Sequence, residues 1–349
     1  MSGQCRWTCF DVQGGDATVG ETLRAGLIGC GSLGRVHTEV LQELDGMDMV
    51  AFCDVDLERA RAFQAQYGGQ RATDDPDDLF RDETLDAVYI CTWHDTHAEL
   101  CIRAAEAGKH IMVEKPLALT VDECRAVGEA VARSGVKLMT AFKMRYFDMV
   151  LKAKALIPHP LLVTMQMMDN PWDPSGWASD PHKGGGNVLS QGCHSCDILR
   201  FVADSDPVEV YAVGDNYYTP TGVIDNLTAT FRFANGTAGS WVQGDANCPP
   251  LTSKFFMQIF AQGESITLSD RLCTLTYHKY GQEPQVFRGA ETGFVEENRA
   301  FVDSLLNDTP PAIDHVDGLM ATLMVLQAFN SIRSGQPEPI AAIAQAYAT

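Results

Sequence analysis

The 349-residue chain carries a formal net charge of −20, and 45% of its residues are hydrophobic. A chain of this length suits two domains that each bury a core, and no uncharged apolar stretch reaches the ~18 residues that a membrane span needs. Because so acidic a chain repels phosphate backbones and anionic lipids, we expect neither nucleic acid nor a membrane as a partner.

The first 22 residues show no clear periodicity, and we expect a loosely ordered extension there. They also lack the basic start and apolar centre of a signal peptide, which predicts a cytoplasmic protein. The chain has 11 cysteines. An odd number in a cytoplasmic protein argues against a disulfide framework.

Residues 23 to 143 alternate apolar runs with helical patterns. The strand-like runs are residues 24–28, 49–53, 87–91, 110–113 and 137–142, and the helical patterns are 33–44, 57–67, 97–107 and 120–133, the last opening on a capping box. This alternation predicts an α/β Rossmann domain, a doubly wound parallel sheet built from βαβ units.

Residues 144 to 349 have a different pattern, in which strand follows strand with few helices between. Strands are predicted at 161–168, 208–218, 227–233, 237–243, 255–261 and 272–277, and helices at 187–202, 295–306 and 317–332. We therefore expect a second, α+β domain with a mostly antiparallel sheet.

A glycine-rich turn, Gly29 to Gly34, follows the first strand and opens the first helix. Gly29 permits a tight turn, Gly31 lets the backbone approach a pyrophosphate, and Gly34 lets the helix pack close to the strand. The backbone N–H groups of Ser32 and Leu33, at the helix N-terminus, would bind the phosphates. In this context the pattern predicts a bound dinucleotide.

Asp54 ends the second strand-like run. A carboxylate there accepts hydrogen bonds from the ribose hydroxyls of NAD and repels the 2′-phosphate of NADP. No basic residue follows it immediately. The sequence therefore favours NAD over NADP.

The segment Glu114-Lys115-Pro116 follows the fourth strand-like run. Ligands bind outside the carboxyl ends of the strands in such a sheet, so Lys115 would lie near the nicotinamide. Taken alone, a lysine in this position is more often a surface residue than a catalytic one.

Together these motifs resemble the Gfo/Idh/MocA oxidoreductases. The resemblance rests on the glycine turn, on Thr92 with His97, on Glu114-Lys115-Pro116, and on Gly184-Gly185-Gly186 leading to His194 and Asp197. It implies a Rossmann domain followed by an open-faced antiparallel sheet. It also implies hydride transfer between NAD(P) and a sugar, cyclitol or related polyol, in a homodimer or homotetramer joined through that sheet.

The resemblance also suggests Lys115 and His194 as the catalytic pair. His194 would be the general base, and Lys115 would stabilise the developing alkoxide. The family usually has an aspartate four residues before this histidine, where the chain has Ser190. Ser190 can hydrogen-bond a substrate hydroxyl but supplies no negative charge, so Asp197, three residues after His194, is the alternative group for orienting it.

Other residues are candidates for substrate or cofactor contacts. Trp172 lies in a polar and aromatic loop that either stacks on a sugar ring or is anchored by buried tryptophans. Arg145 and Tyr146, near the domain junction, either contact substrate or hold the two domains together. The remaining candidates are Thr92, His97 and Glu114 on the cofactor side, and Asn187 on the substrate side.

A zinc site at Cys193-His194-Ser195-Cys196 is the alternative use of this segment. A structural zinc site needs four ligands, and no second pair of cysteines or histidines lies at a suitable spacing. The sequence therefore predicts no metal.

The leading interpretation is an NAD-dependent dehydrogenase of a sugar, glycoside or cyclitol. A second interpretation is an enzyme that keeps NAD bound and oxidises a sugar transiently, to allow elimination, hydrolysis or epimerisation. A third is a non-catalytic NAD-binding sensor, a role that Ser190 favours.

Overall fold

Two β-sheets organise the chain, and a computed structural model describes residues 22–248, 253–291 and 293–346. The predicted N-terminal extension, apart from residue 22, lies outside the described residues. None of the described helices is both long and apolar enough to cross a membrane.

The first sheet has six parallel strands in the order β3-β2-β1-β4-β5-β6. They are β1 (Leu23–Ile28), β2 (Met47–Cys53), β3 (Arg71–Thr73), β4 (Ala87–Ile90), β5 (His110–Val113) and β6 (Leu138–Thr140). This is the predicted doubly wound sheet, with order reversing between β1 and β4, where the carboxyl ends leave a crevice for a ligand. Strand β3 was not predicted, since its three residues carry too little pattern.

Five helices accompany this sheet. They are α1 (Ser32–Glu43), α2 (Leu57–Tyr67), α3 (Asp77–Phe80), α4 (His97–Glu106) and α5 (Val121–Ser134). The predicted capping box is confirmed: the Glu123 N–H donates to Thr120 Oγ1 (3.2 Å), and the Thr120 N–H donates to the Glu123 carboxylate (3.0 Å). Gly135 ends α5 in the left-handed region, with φ of 68°.

The second sheet has nine strands in the order β14-β13-β12-β11-β7-β10-β9-β8-β15. Within the described part of this sheet, only β7 and β10 pair in parallel, and the other neighbours are antiparallel. The strands are β7 (Leu162–Met168), β8 (Pro207–Asp215), β9 (Asn226–Phe233), β10 (Ala238–Gly244), β11 (Phe255–Ala261), β12 (Glu264–Ser269), β13 (Thr274–Lys279), β14 (Gln285–Arg288) and β15 (Glu338–Pro339). The mostly antiparallel sheet is confirmed. The prediction missed β12, β14 and β15.

The remaining helices are α6 (Asp148–Leu156), α7 (Gly186–Ala203), α8 (Gly293–Leu306), α9 (His315–Ser334) and α10 (Ala341–Ala346). Helix α7 lies directly on the second sheet: a Cβ added to Gly192 would come 2.6 Å from the Trp241 ring. Helix α8 returns to the first sheet, where Phe301 meets Tyr89 edge to face with ring centroids 5.7 Å apart. The site therefore forms where the carboxyl ends of the parallel strands face α7.

Candidate active site

The glycine turn has the geometry of a phosphate cradle. Gly29 has a φ of +99°, and a Cβ there would lie 2.4 Å from the Cys91 carbonyl oxygen. A Cβ on Gly34 would lie 2.2 Å from the Gly29 carbonyl oxygen, whereas one on Gly31 would meet nothing within 4 Å. The first and third glycines thus allow close packing, and the second leaves open space for a ligand.

Helix α1 begins at Ser32 immediately after this open position, and no side chain hydrogen-bonds its N-terminus at the Gly31 cap. The N–H groups of the first turn, including those of Ser32 and Leu33, carry the positive end of the helix dipole. These features fit the pyrophosphate of a dinucleotide.

Asp54 is buried beside the glycine turn, with 7% of its surface exposed. One carboxylate oxygen accepts the Cys30 N–H at 2.9 Å, and the other accepts the Asp56 N–H at 3.0 Å. Sequence analysis missed Arg59, whose guanidinium lies 3.6 Å from the Asp54 carboxylate. The carboxylate is therefore fixed next to the cradle, as a ribose ligand requires.

Lys115 reaches from the end of β5 to α7. Its side chain is buried, and Nζ donates to the backbone oxygen of Ser190 at 3.1 Å. This contact brings the predicted lysine to the helix turn that precedes His194.

His194 lies on the same face of α7 as Asn187 and Ser190, because these positions are spaced three and four residues apart. Its ring packs edge to face on Phe142, with centroids 5.8 Å apart, and its Nδ1 is buried without a partner among the described residues. Burial, together with the positive charges of nearby lysines, holds the pKa of His194 well below its usual value. The imidazole is therefore neutral near pH 7 and able to accept a proton.

Asp197 does not orient His194, which corrects the alternative raised from the sequence. Both of its carboxylate oxygens accept from Arg145 Nε, at 3.0 and 2.9 Å. Arg145 also donates to Asp317 at 2.9 Å, and its side chain is 6% exposed. Both residues are held in an ion-pair cluster that joins the segment after β6 to α7 and α9, so Arg145 holds elements together and is not open to substrate.

Tyr146 lies at the same junction and packs against the hydrophobic core around Tyr89 and Phe142. Its hydroxyl is buried and has no partner among the described residues. Burial, with the nearby Glu297 carboxyl, raises the pKa of this phenol. The predicted contact between Tyr146 and substrate stays a prediction.

His97 is fully buried, and its ring nitrogens lie 2.7 Å from the Pro116 carbonyl oxygen and 3.2 Å from that of Thr92. It therefore joins the turn after β4 to the Glu114-Lys115-Pro116 segment. The predicted contact between His97 and a cofactor stays a prediction. The Thr92 hydroxyl, in turn, accepts from Thr96 at 2.7 Å.

Glu114 is held by a histidine that sequence analysis missed. Its Oε1 lies 3.3 Å from Nε2 of His37, and its Oε2 accepts the Lys115 N–H at 3.1 Å. Burial alone would raise the pKa of Glu114, but the bond to His37 and the lysine charges hold it below its usual value. The sequence does hold a signal for His37, because this polar residue lies on the apolar, buried face of α1 and so needs a buried partner.

Trp172 and Asn187 belong to a polar network at the ends of the central strands β7 and β10 of the second sheet. The Trp172 indole N–H donates to Asp169 at 3.2 Å, and the Asn187 amide, 4% exposed, lies 3.1 Å from Gln243 Nε2. Asp169 also accepts from Lys254 at 2.7 Å. These contacts favour the anchored interpretation of the tryptophan loop, and they add Lys254, which sequence analysis did not identify.

Two family models match the chain: the oxidoreductase family with an NAD-binding Rossmann fold over residues 23–142, and the GFO/IDH/MocA C-terminal domain over residues 158–254. The chain belongs to the Gfo/Idh/MocA oxidoreductase family. Membership confirms the predicted fold class, an NAD cofactor and a dehydrogenase that acts on CH–OH groups.

Curated relatives cover nearly the whole chain. Myo-inositol 2-dehydrogenase of Thermotoga maritima is 28% identical, over 89% of this chain and 96% of the relative. The scyllo-inositol 2-dehydrogenase (NAD(+)) of Bacillus subtilis is 26% identical, over 90% and 95% of the two chains. Relatives in the Gfo/Idh/MocA family thus include inositol dehydrogenases.

A solved structure of levoglucosan dehydrogenase with NADH and L-sorbose has the same fold. It superposes with a TM-score of 0.86 at 22% identity, and the match covers 92% of this chain and 99% of that one. An aldose-aldose oxidoreductase from Caulobacter crescentus gives a TM-score of 0.83, also at 22% identity, over 91% and 100% of the chains.

Cys193 and Cys196 flank His194 on α7 and are fully buried. Burial raises the pKa of both thiols. In the part of the chain that the structure describes, no group of three or more histidine, cysteine or acidic residues is arranged to hold a metal.

Proposed function

We propose that this protein uses NAD to oxidise a secondary alcohol of a sugar, glycoside or cyclitol, with Lys115 and His194 at the reaction centre. The observation that carries the proposal is the contact of Lys115 Nζ with the Ser190 carbonyl oxygen, one helical turn before a neutral His194. This contact supports the proposal, because ligands of such a parallel sheet bind outside the carboxyl ends of its strands, where Lys115 follows β5.

His194 would take the proton of the reacting hydroxyl. Its Nδ1 is inaccessible and without a partner among the described residues, so Nε2 is the ring nitrogen left for the substrate. Proton acceptance by a neutral imidazole of lowered pKa remains possible into the acidic range. The bound nicotinamide supplies the hydride acceptor.

Lys115 would position the same oxygen and stabilise its negative charge. The bond to Ser190 fixes the side chain and uses one of its three ammonium hydrogens. The other two can donate to the alkoxide that forms as the proton leaves. Glu114 is hydrogen-bonded to His37, and its other carboxylate oxygen accepts the Lys115 backbone N–H. These bonds fix the backbone at the start of the Glu114-Lys115-Pro116 segment.

A panel of sugars, glycosides and inositols, offered with NAD and with NADP, tests this proposal. Sustained formation of NADH with at least one of them is expected. Turnover by protein that carries co-purified NAD and needs no added cofactor would instead indicate the redox-neutral enzyme. Tight NAD binding without turnover of any compound would contradict the proposed oxidation and favour the sensor.

The face of the second sheet opposite α7 supports a homodimer or homotetramer. Strand β9 alternates buried and exposed residues, and on neighbouring β8 the side chains of Tyr211 and Val213 are 45% and 55% exposed. These two apolar side chains stand beside the exposed Thr228, Thr230 and Arg232 of β9, and a mixed apolar and polar face of this kind suits contact with a second copy. The molar mass measured by light scattering should be that of a dimer or tetramer, and the mass of a monomer would contradict the proposed oligomer. The cytoplasmic location stays a prediction.

A further inference from the structure

Three lysines from separate segments converge on His194. Lys115 follows β5, Lys143 follows β6, and Lys254 precedes β11. The side chain of Lys115 is buried and that of Lys254 is 21% exposed. Lys115 is bonded to the Ser190 carbonyl oxygen in the turn before His194, and Lys254 is bonded to Asp169, which also accepts from Trp172 in the loop before α7. The charges of all three lysines also lower the pKa of His194, after burial itself.

Few carboxylates balance these ammonium groups. Lys115 Nζ meets a carbonyl oxygen, and Lys143 Nζ lies 3.8 Å from the centre of the Phe294 ring. Neither forms a salt bridge with a described residue. Lys254 is paired with Asp169 at 2.7 Å, but that carboxylate also binds the Trp172 indole.

Two further acidic groups lie near this cluster, and only Glu114 adds a negative charge. Glu114 is ionised but is held by His37. Glu297 is buried without a partner among the described residues, and burial followed by the charge of Glu114 raises its pKa well above the usual value, which keeps it neutral. The turn before His194 presents the neutral Ser190. The three ammonium groups therefore face the carboxylates of Asp169 and Glu114. Glu291 also acts on Lys143, but it is paired with Arg271. Oxidised nicotinamide adds a further positive charge.

We propose that the substrate carries a carboxylate, as an aldonic or uronic acid does, and that Lys254 binds it; this rests on the oxidoreductase activity proposed above. Lys115 is assigned above to the reacting oxygen, and the ammonium group of Lys143 lies over the Phe294 ring. Lys254 alone of the three stands on the second-domain side, linked through Asp169 and Trp172 to the loop before α7.

The chemistry of Lys254 suits this role. Its bond to Asp169 uses one ammonium hydrogen and leaves two for a ligand. A charge-assisted bond in a partly dehydrated site is stronger than one to a neutral hydroxyl. Asp169 orients the ammonium group and at the same time opposes a second carboxylate, so the two residues should affect binding in opposite directions.

The test compares matched ligands that differ in charge. D-gluconate, D-glucuronate and D-galacturonate are titrated into the complex of the protein with NADH, beside D-glucitol, D-glucose and D-galactose. Wild type should bind at least one acid on the order of tenfold more tightly than its neutral partner, and Lys254→Gln should remove that preference. Lys254→Arg should keep it, Asp169→Asn should increase it, and the exposed control Lys279→Gln should leave it unchanged.

Equal affinity for acids and neutral partners, binding of none of the acids, or a preference that survives Lys254→Gln would overturn the proposal. Formation of NADH from neutral sugars alone would also overturn it while leaving the proposed oxidation intact. Acid-selective binding that depends on Lys254, without formation of NADH, would instead contradict the proposed oxidation alone.

Discussion

Lys115 Nζ donates to the backbone oxygen of Ser190 across the boundary between the parallel sheet and α7, at 3.1 Å. The bond fixes a cation from the cofactor-binding half against the helix that carries His194. Lys115 belongs to the parallel-sheet part of the chain, and His194 belongs to α7 on the second sheet. The reaction centre therefore depends on how these two parts pack against each other. The predictions below test the groups around this contact.

A carboxylate at position 190 should raise the pKa of His194. An opposite charge one helical turn away stabilises the imidazolium and counters burial and the lysine charges. The base must be neutral to accept a proton, so the acid limb of kcat/KM should move to higher pH in Ser190→Asp than in wild type. Ser190→Asn, which adds bulk without charge, is the control. Identical pH profiles for Ser190→Asp and wild type would contradict this electrostatic account.

Asp54→Asn should weaken NADH binding and improve NADPH binding. The amide cannot accept from ribose hydroxyls as strongly as the carboxylate, which we expect to raise the NADH Kd about tenfold. It also releases Arg59, 3.6 Å away, to meet a 2′-phosphate. Fluorescence titration with both cofactors measures the change. Asp56→Asn, at an exposed carboxylate near the same arginine, should have little effect, and equal loss in both variants would speak against a specific role for Asp54.

Arg145→Met should destabilise the fold without a specific change in KM. It leaves the Asp197 carboxylate, 1% exposed, without the guanidinium, and breaking such a buried pair costs about 3–5 kcal/mol. The double variant Arg145→Met/Asp197→Leu should recover part of that loss in urea unfolding. A stable single variant with a strongly raised KM would show that Arg145 binds substrate after all.

Glu297→Gln should stabilise the protein increasingly as pH rises. The pKa of Glu297 is well above its usual value in the folded chain, so it stays protonated there while the unfolded chain loses the proton above about pH 4.5. Folding stability from this group therefore falls with rising pH, at most about 1.4 kcal/mol per unit. Urea unfolding of both proteins at pH 5 and pH 8 gives the comparison. A constant difference between them would mean that Glu297 is ionised in the fold.

Most of the fold could be predicted because its long elements carry strong periodicity. The glycine turn, Asp54 and the capping box of α5 are local patterns. The structure confirms the capping box and joins Asp54 to the glycine turn through the Cys30 N–H, while their cofactor contacts stay predictions. Strands β3 and β15, with three and two residues, are too short to show a period.

The polar partnerships of the site could not be predicted from the sequence. His37 and Glu114 are 77 positions apart, and Lys254 and Asp169 are 85 apart. Asp197 is spaced to reach His194 on α7 but pairs with Arg145, 52 positions away. Such pairs depend on tertiary packing, which no local pattern records.

The most direct test of the account is the rate of NADH formation by Lys115→Met and His194→Gln, with the sugar or polyol that wild type oxidises fastest. We expect each change to lower kcat on the order of 10²–10⁴-fold, because each removes a group that acts on the reacting oxygen. The Kd for NADH should stay as in wild type, and the exposed controls His278→Ala and Lys279→Met should keep full activity. Wild-type kcat in both site variants would contradict the account.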